Sequence, residues 1–209
     1  MSSRATNGII LSENVGRKEA EIADVSTMEE YHTVAEYMAL PETPRVELIK
    51  GRFYDMAGPN RKHQKILFQL CRWIGNMIEE RGGDCEVYPA PFDVQLKKDE
   101  DTVVQPDISV ICDRDKLDDH GCVGAPDWVI EIVSPGNWKH DFNRKLNLYK
   151  DAGVREYWIV DPMKCRVIVY RPALDDEESD DIAIYGFNDR VPVSIYEDFW
   201  IDFSELDLS

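Results

Sequence analysis

A chain of 209 residues, 43% of them hydrophobic, is large enough to bury a sizeable core and too short for a multidomain assembly. Asp and Glu outnumber Lys and Arg 41 to 24, and a formal net charge of −17 argues by itself against binding a polyanion. No apolar run approaches the roughly 18 residues of a membrane span, and Met1 to Arg4 lacks the apolar stretch of a signal peptide, so a soluble cytoplasmic protein is expected.

Residues 1–25 mix small, polar and charged types without period and read as a loose arm, followed by a single domain over 26–209. Ser26-Thr27 ahead of Met28, Tyr31, Val34, Ala35 and Met38 predicts a capped amphipathic helix that Pro41 and Pro44 end. Val46 to Ile49 and Arg52 to Met56 flank Lys50-Gly51, a hairpin signal. The clearest helix runs from Lys62 to Arg81, with Ile66, Leu67, Leu70, Cys71, Ile74, Met77 and Ile78 at helical spacing and Gly82-Gly83 as its stop. Cys85 to Tyr88, Phe92 to Leu96, Ile108 to Cys112 and Trp128 to Val133 read as strands, with a polar loop over Asp113 to Gly124. A helix from Trp138 to Ala152 follows, then strands over Val154 to Val160 and Cys165 to Tyr170 joined by an Asp161-Pro162 turn. After the acidic run Asp175 to Asp181, three short strand-like stretches close the chain, where Tyr196, Phe199 and Trp200 could pack as a last strand or form a dimer seam. This alternation predicts an α/β (α+β) domain with a sheet flanked by helices. Five cysteines (Cys71, Cys85, Cys112, Cys122, Cys165) without a CxxC argue against a disulfide framework or a zinc knuckle, and free, mostly buried thiols are expected.

The chemistry-bearing segment is Gln105-Pro106-Asp107, followed 24 residues after the aspartate by Glu131 in an otherwise apolar strand. If the two strands pair antiparallel, Asp107 lies beside Glu131, whose carboxylate points away from the face of Ile130 and Ile132. A carboxylate in such a strand is costly to bury unless something positive or a proton compensates it, and a divalent cation would do that. Asp107, Glu131 and a backbone carbonyl, that of Ile132, leave positions for water and phosphate oxygens, which is how Mg²⁺ is coordinated in phosphoryl-transfer sites. Lys145 and Tyr149 share one face of the following helix, where the lysine could orient water or offset charge on phosphorus. No GxSxG elbow, GxxxxGK[ST] or GxGxxG loop occurs, which leaves serine hydrolases and nucleotide-binding folds without a motif.

Pro106-Asp107, Glu131 to Pro135, Asp141 with Lys145 and Tyr149, and Gly153 to Pro162 together resemble the Uma-type restriction-endonuclease family of the PD-(D/E)XK nuclease superfamily, over about Thr27 to Arg171. The resemblance implies an αβββαβ core with a mixed central sheet, extra C-terminal strands, and Mg²⁺- or Mn²⁺-dependent hydrolysis of DNA phosphodiesters. It makes Asp107 and Glu131 metal ligands, Lys145 the lysine of the site, and Glu47 the acidic residue supplied by an early element. The superfamily's lysine should stand two residues after Glu131, where this chain has Val133; in this branch the lysine has moved to the helix. His63 and Tyr149 are candidate phosphate contacts, although a surface residue near the helix cap is the plainer reading of His63.

Charge is unevenly placed. Pro44 to Arg72 holds seven basic residues against two acidic, Gly136 to Lys150 four against one, and Ala173 to Ser209 twelve acidic against Arg190. Weak, salt-dependent contact with nucleic acid is therefore expected, and a homodimer would suit cutting two strands. The rival expectation, motivated by Val133 and the acidic surface, is a noncatalytic interaction module on a degenerate nuclease scaffold.

Overall fold

The computed structural model describes residues 30–41, 43–134, 138–173 and 179–208. The expected arm over 1–25, the Ser26-Thr27 cap and Asp175 to Glu178 of the acidic run lie outside them. The first described helix, α1 (Val34–Met38), is shorter than expected: residues 30–33 are not helical, and Thr33 caps it in a capping box with Glu36. Then come β1 (Val46–Ile49) and β2 (Arg52–Asp55), paired antiparallel. Their turn has Lys50 at φ 50° and Gly51 at φ 77°, the twist that two-residue hairpins require. At φ 77° any L side chain at Gly51 would be strained, and its Cβ would also have to displace the exposed Tyr31 ring 2.2 Å away.

α2 (Arg61–Arg81) starts where the Asn60 side chain accepts from the His63 N–H and stops at Gly82 in the left-handed region. Its apolar stripe, Ile66, Leu67, Leu70, Ile74, Met77 and Ile78, is buried. The chain continues through β3 (Glu86–Pro89), β4 (Asp93–Gln95), β5 (Val103–Val104) and β6 (Ile108–Ile111). The polar segment expected to be a loop instead holds a 3₁₀ turn and a small hairpin, β7 (Leu117–Asp118) and β8 (Gly121–Val123). β9 (Trp128–Ile132), α3 (Trp138–Ala152), β10 (Glu156–Asp161), β11 (Arg166–Arg171), β12 (Asp181–Gly186), β13 (Arg190–Pro192) and β14 (Trp200–Asp202) complete it.

Among the described residues the strands form two six-stranded sheets, ordered β2-β1-β5-β4-β8-β7 and β12-β11-β10-β9-β6-β3, and a β13–β14 pair. The second sheet is mixed: β3, β6 and β9 pair antiparallel, β10 joins β9 in parallel, and β11 and β12 add antiparallel. Read in chain order, α2, β3, β6, β9, α3 and β10 are the αβββαβ core. One face of this sheet (Ile108, Val110, Trp128, Ile130, Trp158) packs on α2 and on Val191, Phe199, Ile201 and Phe203 of the C-terminal segment. Phe199 thus belongs to the core, while Trp200 is 45% exposed beneath Arg190. The other face (Val129, Tyr157, Ile159) packs with Leu148 and Tyr149 of α3 and with Ile49 and Val94 of the first sheet.

The cysteine expectation is corrected. Cys85 and Cys112 lie opposite one another at the end of the β3–β6 pair and form a disulfide, with Cys71, Cys122 and Cys165 free. Cys165 is exposed. Cross-strand register brought together two residues that sequence spacing did not connect. No helix among the described residues is long and apolar enough to cross a membrane.

Candidate active site

Ile108 of β6 lies opposite Ile130 of β9, so the next pair outward is Asp107 opposite Glu131. Ile130 and Ile132 turn toward α2, and period-two alternation sends the Glu131 carboxylate toward α3. There Lys145 Nζ lies 2.9 Å from Glu131 Oε1 and 2.9 Å from Glu47 Oε1, and the Tyr149 hydroxyl donates to Glu131 Oε1 at 2.7 Å. Glu47, on β1, is buried and also accepts from the Gln105 backbone N–H at 3.0 Å. One ammonium on α3 therefore ties an acid of the first sheet to an acid of the second. With Lys145 5% exposed, it is the buried neighbour of Glu131 that Val133 cannot be.

Asp107 is held by different partners. Its Oδ2 accepts from the Ile132 N–H at 2.7 Å and lies 3.0 Å from His63 Nε2. His63 is 7% exposed, so the plainer expectation of a surface histidine is corrected: the first turn of α2 points into the end of the sheet, and the ring is covered. A carboxylate beside Nε2 calls for a proton there, and Nδ1 is buried with no hydrogen-bond partner among the described residues. Both candidate phosphate contacts, His63 and Tyr149, are thus engaged with carboxylates.

The electrostatics are unbalanced. Glu47 and Glu131 converge on Lys145, and burial pushes the Glu131 carboxyl up to about 7, with the nearby charges of Asp107 and Glu47 adding to the rise against the pull of Lys145. Burial, then the charge of Glu131, holds the Tyr149 phenol well above its ordinary value, so it remains a donor. Among the described residues no three His, Cys, Asp or Glu side chains group closely enough to cage a metal ion. The Asp107 and Glu131 carboxylates with main-chain oxygen at Ile132 are the groups that could hold a hard, water-retaining divalent cation, whose charge would relieve the excess negative charge at Glu131.

Sequence reasoning missed the clamp behind the site. Arg45 donates to Gln105 Oε1 through Nε at 2.9 Å and Nη2 at 2.6 Å. Gln105 Nε2 donates to Asp93 Oδ1 at 2.7 Å and to the Tyr37 hydroxyl at 3.1 Å. Gripped on both sides, Gln105 fixes its own N–H on Glu47 and the backbone that leads into Asp107. The available signal was the glutamine beside Pro106-Asp107. Its partners lie 12 to 68 residues away, beyond any local pattern.

Comparison with known proteins bears on the family and the fold. A family model described as "Uma2: Putative restriction endonuclease" matches residues 28–204. "Uncharacterized protein slr1290" of Synechocystis sp. is 27% identical over 171 residues, covering 80% of this chain and 87% of that protein. "Uncharacterized protein sll1609" of the same organism is 27% identical over 148 residues, covering 68% and 82%. A crystal structure from Anabaena variabilis, described as "a putative nuclease belonging to DUF820", superposes with a TM-score of 0.67 at 25% identity, over 83% of this chain and 96% of that one.

Proposed function

The chain belongs to the Uma2 restriction-endonuclease-like family, and from that membership we propose that it hydrolyses DNA phosphodiesters with a divalent cation held by Asp107, Glu131 and the Ile132 carbonyl. The observation that carries the proposal is the meeting of Glu131, Glu47 and Lys145 within 2.9 Å contacts, next to the Asp107–Glu131 cross-strand pair. A bound Mg²⁺ or Mn²⁺ would supply Lewis-acid charge and a water of lowered pKa.

The chain's own residues set the stage for that ion. His63 and the Ile132 N–H orient Asp107, leaving its other oxygen directed by those two bonds rather than by solvent. Tyr149 and Lys145 both bind Glu131 Oε1, which orients that carboxylate in turn. Lys145, the proposed catalytic amine, lies between two acids, and as an ammonium there it would offset charge developing on the phosphoryl oxygens. Glu47 holds the amine in place. The charge of the whole chain opposes DNA, so binding is weak and falls steeply with salt.

The test is cleavage of plasmid and single-stranded DNA with Mg²⁺, Mn²⁺ or EDTA by wild type, Asp107→Asn and Lys145→Met. Cation-dependent cutting by wild type alone, with all three proteins folded by circular dichroism, is expected. Equal cutting by all three, or none by wild type under any cation, would refute the proposal.

A further inference from the structure

The hairpin face that carries Glu47 continues into a basic cleft. Glu47 lies opposite Tyr54 and Ile49 opposite Arg52, so these four side chains share one face of β1–β2. α3 runs along that face: Lys145 reaches Glu47 at 2.9 Å, and its neighbour Arg144 lies with its guanidinium 3.9 Å from the centre of the Tyr54 ring. Between hairpin and helix is a cleft of about 480 Å³ whose floor is the buried pair Ile49 and Leu148 and whose walls carry Lys50, Arg52, Arg144 and Asn147. Every charged side chain lining it is basic. That concentration of cations in a chain of net charge −17 adjoins the carboxylates at which a phosphodiester would react.

We propose that this cleft seats the sugar-phosphate segment flanking the phosphate to be cut, with Arg52, Arg144 and Lys50 contacting its phosphate oxygens; the inference rests on the nuclease reading above. The volume falls within the ~300–1,000 Å³ typical of sites for compact ligands, room for about one nucleotide. Arginine presents a planar fork of donors that matches phosphate geometry, and stacking on Tyr54 holds the Arg144 fork in place before substrate arrives. The apolar floor accepts the sugar. Because the Tyr54–Glu47 pair joins the two regions, a strand lying in the cleft delivers its next phosphate to Lys145.

Binding and cutting are measured separately. A fluorescein-labelled 30-nucleotide DNA, single-stranded and duplex, is titrated in Ca²⁺ with rising KCl, reading anisotropy for wild type, Arg52→Ala, Arg52→Ala/Arg144→Ala, the charge-preserving Arg52→Lys/Arg144→Lys, and Arg190→Ala as a distant control. The double alanine variant should bind the single strand about tenfold or more weakly at low salt and lose about 1.4 from the slope of log K against log salt, about 0.7 per phosphate contact. The lysine pair should keep the slope, and Arg190→Ala should match wild type. Arg52 is exposed, so Arg52→Ala remains informative if the double variant does not fold. Wild-type affinity and slope in Arg52→Ala and the folded double variant would overturn the proposal, as would absence of any binding by wild type. Arginine-dependent binding by a wild-type protein that cuts nothing would uphold the cleft and refute the nuclease reading.

Discussion

Replacing Lys145 with methionine keeps the length of the side chain and removes its charge from between two acids. The Lys145, Glu47 and Glu131 side chains are 6%, 5% and 14% exposed, so water cannot replace the lost ammonium. Breaking a buried pair by deleting one partner costs about 3–5 kcal/mol, against about 0–1 kcal/mol for a solvated surface pair. The cost must also depend on pH. Glu131 titrates near 7 when folded against its usual 4.5, so the folded protein holds a proton that the unfolded chain releases, and this group's contribution to stability is lost as pH rises from about 4.5 through 7. Lys145 is the partner that pulls Glu131 down; without it the carboxyl titrates higher still. Above pH 7 the folded variant therefore keeps a proton that folded wild type has given up, and the penalty grows by up to about 1.4 kcal/mol per pH unit. Urea unfolding followed by circular dichroism at pH 5.5, 7.0 and 8.5, without divalent ions, measures it. A loss under about 1 kcal/mol that stays flat with pH would show Lys145 to be solvated and the account of the site to be wrong.

Tyr149→Phe keeps the ring packed edge-on against Tyr157 at 4.9 Å and deletes the hydroxyl that donates to Glu131. A carbon-13 titration of the Glu131 carboxyl should move upward, with about 1.5–3 kcal/mol of stability lost at pH 8; an unmoved titration would mean that the hydrogen bond does not form. Calorimetric titration with Mn²⁺ should show affinity falling as pH drops through 7, by up to about tenfold per unit, because Glu131 must release its proton to bind the ion; pH-independent affinity would remove Glu131 from the ligand set. Cys85→Ser opens a crosslink between residues 27 apart and should cost about 3 kcal/mol under oxidising conditions, with no difference from wild type in excess reductant.

Local signals revealed those parts of the fold that are stabilised locally. The apolar stripe from Ile66 to Ile78 and the Gly82 stop defined α2, because a helix places residues three and four apart on one buried face. Alternation in Trp128 to Ile132 placed Glu131 opposite Asp107, since a pleated strand leaves few registers that keep its isoleucines inside. Two- and three-residue strands such as β5, β7 and β8 have no measurable period, and for that reason the first sheet was not foreseen. The short α1 was overextended for the opposite reason: spaced apolar residues imitate a helix that would take in residues 30–33, which are not helical.

Composition and periodicity set the class of fold, and the family resemblance carried by its motifs supplied the αβββαβ order and the set of acids and lysine worth examining. Tertiary packing decided that Lys145 faces inward to bridge Glu47 and Glu131, that His63 is covered and bound to Asp107, that Cys85 meets Cys112, and that Arg144 stacks over Tyr54 beside the site. The reason is physical: helix and strand patterns record which face of a segment is buried, whereas charge pairing, desolvation and crosslinking depend on which two faces meet. That meeting is fixed by the register of strands distant in sequence and by where α3 comes to rest between the two sheets.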